Sequence, residues 1–400
     1  MNYLPTGKPS TPPEVLAARP GLIRVINEQL ILEQIRRLGK VARRDLGKIS
    51  GLSKPTVAVA LANLERNGLI RTAGKSSGAR GPAAVLYEVR PEAGFILGLD
   101  VGREYVRGAI ADLSGAIRAR GSRKVHAASR AGRLSHIVGL ADELTGQVPI
   151  ERSDVTQTIV GSPGVYNSGR GVLSMARGLP GWERPGVLAE LWDAFGEHTI
   201  VENDVNLAAL AERDLGHGRG VSDFAFVSVG TGIGLGLVIG GKLHRGVHGA
   251  AGEIGYLPLG DDRDVDPDDA RRRGRLESVA SAAGIVRAAR RSGMRGTVTA
   301  RRVFAGAERG DTLCRSIVAE EAILVSRAIA SVTAVVDPAL VVLGGGIGHV
   351  PYFVEETERE LRKLMTPPIP VRASALGEAA VVDGCLAAGM DLAWQRVVQR

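Results

Sequence analysis

The chain is 400 residues long, 44% hydrophobic and 24% charged, a length for two or three domains with enough apolar content for sizeable cores. Its two cysteines, Cys314 and Cys385, lie far apart and in no CxxC pair, which argues against a disulfide framework and a thiolate metal site. The net charge of +8 is concentrated: residues 1–90 hold 15 Lys and Arg against 6 Asp and Glu and the remainder 36 against 37, as expected when one domain neutralises phosphates.

No N-terminal apolar segment suggests a signal peptide, and the longest apolar run, 329–347, is broken by Asp337-Pro338. A soluble cytoplasmic protein with no membrane partner is expected. Residues 1–20 carry Pro5, Pro9, Pro12, Pro13 and Pro20 and read as a flexible arm. From Leu22 an amphipathic run predicts the first helix. A short helix follows over about 42–49 and Gly51 breaks it. Ser53 is a natural N-cap, Pro55 fits the first turn, and the next helix runs to about 67, where Gly68 stops it.

Val57, Ala60, Leu61 and Leu64 make one apolar stripe on that helix, with Lys54, Thr56, Asn63 and Arg66 placed opposite. The segment after Gly68 reads as strand, basic glycine-rich tip and strand. An ordinary helical bundle would also show amphipathic helices. The order of helix, turn, helix and wing instead predicts a winged helix-turn-helix over 21–90, with double-stranded DNA as partner. Arg43 and Arg44 are expected on the phosphate backbone. Ser53, Lys54, Thr56 and Asn63 are expected on the reading helix, and Lys75 and Arg80 on the wing.

Arg90-Pro91-Glu92 looks like a linker, after which FILGLDVG, VRGAIADL and a third segment predict consecutive strands. A helix follows near 133–146. TIVGSPGVYN is a strand opening into a Pro-Gly loop, and TIVENDVNLAALAERDLG is strand, turn and helix. FAFVSVGTGIGLGLVIGGKLHRG then repeats the earlier hairpin plan. Helices are expected near 278–292, 316–336 and 352–364 and from about Asp383, with a strand at ALVVLGGGI. Hairpins followed by βα alternation, once in each half, predict two α/β lobes with a cleft between them.

The turn Gly230-Thr231-Gly232-Ile233-Gly234 ends a buried strand and would let backbone N–H groups approach a phosphate or a hydroxyl. Gly344-Gly345-Gly346 offers a second such approach. Gly236 to Lys242 fits GxxxxGK, but Leu243 replaces the Ser or Thr and no helix follows, so a P-loop is rejected. Asp204, beside Asn203 at a strand end, could accept a hydroxyl proton; capping of the following helix explains the pair equally well. Glu253 and Glu277 are further carboxylates, with surface charge as the plain alternative. His244 and His248 sit in a glycine-rich loop and make no ligand pair.

Together LGLDVG, GSPG, VENDVN and above all VSVGTGIGLGLVIGGKLHRGVHGAAGEIGYLPL resemble the ROK (repressor, open reading frame, kinase) family over about 22–395. The likeness is to its sugar-responsive repressors of the xylose-repressor and N-acetylglucosamine-repressor type. It implies an α/β, actin-like (ribonuclease H-like) two-lobed ATPase fold with an N-terminal winged helix-turn-helix. The small lobe is expected over 94–204 plus 382–400 and the large lobe over 205–381.

By the resemblance Asp204 is the base of a kinase. Asn203, Asp204, Glu253, Glu277 and Tyr256 face the sugar. Asp100, Gly102, Gly230, Thr231, Gly232 and Gly234 line the phosphate side, and Gly344 and Gly345 lie near the nucleotide. Two departures bear on function. Where family kinases read Asp-x-Gly-Gly-Thr, this chain reads Asp100-Val101-Gly102-Arg103-Glu104, which disfavours ATP. Tyr256 stands where the zinc-binding members carry histidine, and the acidic and basic segment 261–277 lacks their cysteines, so no metal and no cofactor are expected. The reading is a sugar-responsive DNA-binding regulator, a homodimer or homotetramer and not an enzyme. A sugar kinase retaining Asp204 is the alternative, and a cleft serving only dimerisation the third.

Overall fold

A computed structural model describes residues 20–76, 83–126, 129–167, 172–176, 178–260, 265 and 267–399. The expected arm and the wing tip with Arg80 lie outside the described residues. The chain divides into two compact units, Met1–Ala93 with Arg396–Arg400, and Gly94–Gln395. Among the described residues no helix is long and apolar enough to cross a membrane.

The N-terminal unit runs α1 (Pro20–Leu38), β1 (Val41–Ala42), α2 (Arg43–Ser50), α3 (Lys54–Arg66), β2 (Ile70–Lys75) and β3 (Val85–Val89). Its three strands form an antiparallel sheet in the order β1-β3-β2. Gly51, between α2 and α3, sits at φ +70°, a left-handed conformation that costs other residues about 1–2 kcal/mol. Ser53 caps α3 by accepting the Thr56 N–H at 3.3 Å, and Pro55 fills the first turn. Val57, Ala60, Leu61 and Leu64 are buried as the spacing predicts, in a core with Ile31, Ile35 and Leu46.

The second unit holds two five-stranded sheets built on one plan. The first has β4 (Phe95–Val101), β5 (Tyr105–Asp112), β6 (Ile117–Lys124), β7 (Val155–Ser162) and β10 (Thr199–Asn203), in the order β10-β7-β4-β5-β6. The second has β11 (Phe224–Val229), β12 (Ile233–Ile239), β13 (Lys242–Leu243), β14 (Leu340–Gly344) and β15 (Val371–Ala373), in the order β13-β12-β11-β14-β15. In each, an antiparallel meander is extended by two parallel strands. A small hairpin, β8 (Val165–Asn167) with β9 (Val172–Ser174), follows β7.

The helices are α4 (Arg130–Gln147), α5 (Val187–Phe195), α6 (Asp204–Leu215), α7 (Pro267–Arg273), α8 (Arg275–Val279), α9 (Ala282–Arg291), α10 (Ala300–Glu308), α11 (Thr312–Val336), α12 (Gly345–Gly348), α13 (Pro351–Leu364) and α14 (Ala380–Gln399). Two of them hold the sheets at close quarters. α6 lies on the second sheet, where a Cβ on Gly236 would stand 2.6 Å from Ala209 Cβ. α14 lies on the first, where a Cβ on Gly98 would stand 2.8 Å from Cys385 Cβ. The two helices meet where a Cβ on Gly384 would fall 1.9 Å from the Leu207 carbonyl oxygen. Separate cores lie on the outer faces: Leu97, Leu99, Ile137, Leu144 and Trp182 under the first sheet, and Val227, Ile285, Val318, Val325 and Phe353 under the second.

The acidic and basic segment 261–277 contains α7. Asp268 and Asp269 lie in its first turn and Arg271–Arg273 in its last, the arrangement that opposes the helix dipole.

Candidate functional site

Parallel strands deliver their C-terminal ends to one place, and ligands of α/β sheets bind outside those ends. β4 ends just past Asp100, β10 ends at Asn203, and Asp204 opens α6. Asp100 is buried, and its carboxyl is pushed up to about 7, first by burial and then by the charge of Asp204, against the pull of Arg107. Asp204 is pushed up to about 6 by burial, opposed by bonds from the Val205 N–H and its own. Glu253 is raised as well, by burial and then by Glu277 and Asp204. Asp100 and Glu253 each feel the charge of Asp204, and Glu253 that of Glu277 as well, so the four carboxyls lie within electrostatic reach of one another.

Asn203 is a structural residue first. Its Oδ1 accepts the N–H groups of Val205 at 2.9 Å and Asn206 at 3.1 Å, and its Nδ2 donates to the Gly164 carbonyl at 3.0 Å. Asn203 thus caps α6, and one of its amide N–H groups remains for the cleft.

The glycine turns abut. A Cβ on Gly230 would lie 3.3 Å from the Gly346 nitrogen, and one on Gly345, at φ +79°, 2.5 Å from the Val229 carbonyl oxygen. Glu277 accepts the Ile233 N–H at 3.2 Å, and a Cβ on Gly232 would stand 2.6 Å from its Oε2. Thr231 is exposed. Gly234 packs on Val205, where a Cβ would meet Cγ2 at 3.0 Å, so its smallness seats α6 and with it Asp204. Only a bare backbone permits these approaches.

Sequence reading missed three arginines. Arg107, opposite Asp100 in the β4–β5 pairing, lies 3.6 Å from Asp100 and 2.9 Å from Glu378. Arg133 is buried and donates to the Gly102 carbonyl at 2.6 Å, pinning the first hairpin turn. Arg245, after the second sheet's β13, bonds Glu202 of the first sheet's β10 at 2.6 Å and so ties the two lobes beside Asp204. Cross-strand pairing could have flagged Arg107; nothing local marks the other two.

Tyr256 is exposed and its hydroxyl donates to the Arg272 carbonyl at 3.2 Å. Among the described residues no group of three or more His, Cys, Asp and Glu is placed to hold a metal ion, and the residues here are a poor match to the zinc set that the resemblance implies. A phenol stands where a histidine nitrogen is needed, α7 offers Asp and Arg, and Cys314 and Cys385 are buried elsewhere.

In the N-terminal unit Lys54 and Lys75 are exposed and Thr56 is half-buried beside the Ser53 cap, its hydroxyl 2.8 Å from Ser53 Oγ. Arg44 is exposed, 3.6 Å from Asp45. Arg43 braces the turn by donating to the Lys54 carbonyl at 3.0 Å. Asn63, expected on the reading helix, donates to Glu28 of α1 at 2.6 Å. It follows buried Ala60 by three residues and so flanks the apolar stripe. The outer face of α3 instead presents Pro55, Val59, Ala62 and Arg66, with Val59 53% exposed. Subtracting the buried stripe from the helical wheel would have found Val59.

The two sheets on one strand plan, clasping α6 and α14 above a carboxylate-lined cleft, define an actin-like two-lobed α/β protein. Residues 96–396 match the profile of the ROK family, and the chain belongs to that family. It is 25% identical to the xylose repressor of Caldicellulosiruptor bescii, over 92% of this chain and 96% of the relative. It is 32% identical to the glucokinase of Halalkalibacterium halodurans, over 49% of this chain and 63% of the relative. A crystal structure of an ROK family transcriptional regulator, a homologue of the E. coli MLC protein, is similar with a TM-score of 0.70 at 23% identity, covering 94% of this chain and all of that one.

Proposed function

We propose that the protein is a sugar-responsive transcriptional regulator, a repressor of carbohydrate genes. Its winged helix-turn-helix unit binds operator DNA, and the cleft beside Asp204 takes a sugar effector. The observation that carries this reading is the combination of an intact Asp204, Glu253 and Glu277 set with an Asp100 ion-paired to Arg107. Carboxylates are strong acceptors for sugar hydroxyls, net about 1.5–3 kcal/mol each. The phosphate side is neutralised from within: Arg107 joins Asp100 to Glu378, and exposed Glu104 adds a negative charge at the hairpin tip. These residues do not fit bound ATP, so no phosphoryl transfer is assigned.

Similarity to a xylose repressor along almost the whole chain supports the same reading, while the glucokinase relative matches about half of it. We place the protein in the cytoplasm as a homo-oligomer, since paired winged helices match paired half-sites. The sugar enters between lobes joined by Arg245 and Glu202, and its differential affinity for one lobe arrangement shifts DNA binding.

One observation favours a kinase: a carboxyl at about 6 beside a sugar site suits a general base. A coupled ATPase assay over a panel of pentoses and hexoses separates the two readings. The regulator shows no sugar-dependent ATP turnover and enriches a near-palindromic duplex from a random DNA pool. Turnover with one sugar and no enriched duplex would reverse the assignment.

A further inference from the structure

A second cavity lies in the same unit, outside the carboxylate-lined cleft. It occupies about 190 Å³ between α9 and α11, closed at one side by Ser278 and Val279. Ile317, Glu320, Glu321, Leu324 and Arg327 recur along one face of α11, and Gly284, Ala288 and Arg291 along the facing side of α9. The walls are aliphatic: Val279, Ile285, Ile317 and Leu324.

Glu321 is 3% exposed, and its Oε1 has no hydrogen-bond partner. A buried, unsatisfied carboxyl oxygen costs about 1–3 kcal/mol, so its retention points to a group that completes it. Three guanidinium groups border the same cavity. Arg287 is held by the Ser278 carbonyl and lies 3.6 Å from Asp269. Arg327 is exposed and makes no side-chain ion pair with a described residue. Arg291 completes the basic border, against the single exposed Glu320.

We infer that this cavity is a second ligand site, for a small organic anion with an apolar body and one hydroxyl or amide group. The anionic end sits at Arg327, the apolar body packs on Ile285, Ile317 and Leu324, and the polar group bonds Glu321. The three requirements are complementary. A plain hydrocarbon leaves Glu321 unsatisfied, and a free sugar offers nothing to the arginines and wets the aliphatic walls. Desolvation raises the Glu321 carboxyl well above its ordinary range and so favours the protonated form, which can donate as well as accept and repels an anion less. The site does not rest on the sugar reading of the cleft.

The test is isothermal titration of the full chain with 4-hydroxybenzoate, benzoate and 4-hydroxybenzamide. These share a ring and differ in the hydroxyl and the charge. Saturable one-to-one binding of 4-hydroxybenzoate is expected at millimolar concentration or below, with each of the other two about tenfold weaker. Glu321→Leu, checked for folding by circular dichroism, should weaken 4-hydroxybenzoate about tenfold and abolish its advantage over benzoate. Glu321→Gln, neutral and of the same shape, should retain it. Arg327→Ala should weaken both anions and leave the benzamide unchanged. Absence of saturable binding in the folded protein, or equal affinities in wild type and Glu321→Leu, overturns the site and leaves the cavity to buried water.

Discussion

Arg107 faces Asp100 across the β4–β5 pairing and lies 3.6 Å from its carboxylate, while reaching Glu378 at 2.9 Å. The pair sits at the strand end where the resemblance places phosphate contacts. A buried carboxyl at about 7 with a cation beside it has its charge compensated from within the protein.

Removing Arg107 therefore has a pH-dependent cost. Without it the Asp100 carboxyl rises further. At pH 8 the folded wild type holds a carboxylate stabilised by Arg107, and Arg107→Ala should lose about 1 kcal/mol, a modest figure because the arginine is partly solvated. At pH 5 Asp100 is protonated in both proteins and the difference should shrink toward zero. Urea unfolding at the two pH values measures this, and an equal loss at both would place the effect in packing.

Asp204 carries the opposite lesson. Its folded value of about 6 lies above the ordinary carboxyl value of 3.8, so the folded state binds the proton more tightly. Its favourable contribution is complete below pH 3.8 and is lost as pH rises through about 6. Asp204→Asn, which keeps an oxygen for the Val205 N–H, should stabilise the protein by about 2 kcal/mol at pH 8 and hardly at all at pH 4. No gain at pH 8 would mean that the carboxylate is better solvated than its surroundings suggest.

The seat of α6 is equally exposed to test. A methyl on Gly236 would meet Ala209 Cβ at 2.6 Å and the Val205 carbonyl oxygen at 2.9 Å. Gly236→Ala should cost about 1–3 kcal/mol by overpacking. Because α6 carries Asp204, it should also weaken sugar binding. Wild-type unfolding midpoints would show that the strand and helix have room to part.

Two residues of α3 should separate folding from DNA reading. Asn63→Ala breaks the bond to Glu28 and should lower stability by about 1 kcal/mol, with DNA affinity of the folded protein unchanged. Val59→Ala should leave stability nearly unchanged and alter base preference, since an exposed apolar side chain on a reading helix contacts thymine methyl groups. Duplex selection with each variant checks both, and an unaltered consensus for Val59→Ala would take that face out of the groove.

What the sequence made legible follows physical lines. The helix-turn-helix was readable because Gly51, Ser53, Pro55 and Gly68 are local signals, each with one conformational consequence. The strands of both sheets were readable as apolar runs between turns, and the carboxylate set through long motifs. Contacts made across the chain were not. Arg245 meets Glu202 through tertiary folding alone, and Asn63 turns to Glu28 of another helix. Asn203 suits a cap and a ligand alike because both need a polar side chain at a strand end; its three bonds make the cap and leave one amide N–H over. The short β15 and the helices α5, α7 and α10 lacked a long enough apolar period to stand out.

The central claim is that a sugar bound beside Asp204 changes DNA binding, and one titration meets it directly. The protein is bound to a duplex that it has itself selected from a random pool, and pentoses and hexoses are added one at a time while fluorescence anisotropy reports the complex. One sugar should change DNA affinity at least about tenfold, the shift produced by roughly 1.4 kcal/mol of differential binding. Asp204→Asn should bind the same duplex as well as wild type and need a much higher concentration of that sugar. Identical sugar response curves for the wild type and Asp204→Asn, or no response to any sugar, would contradict the account.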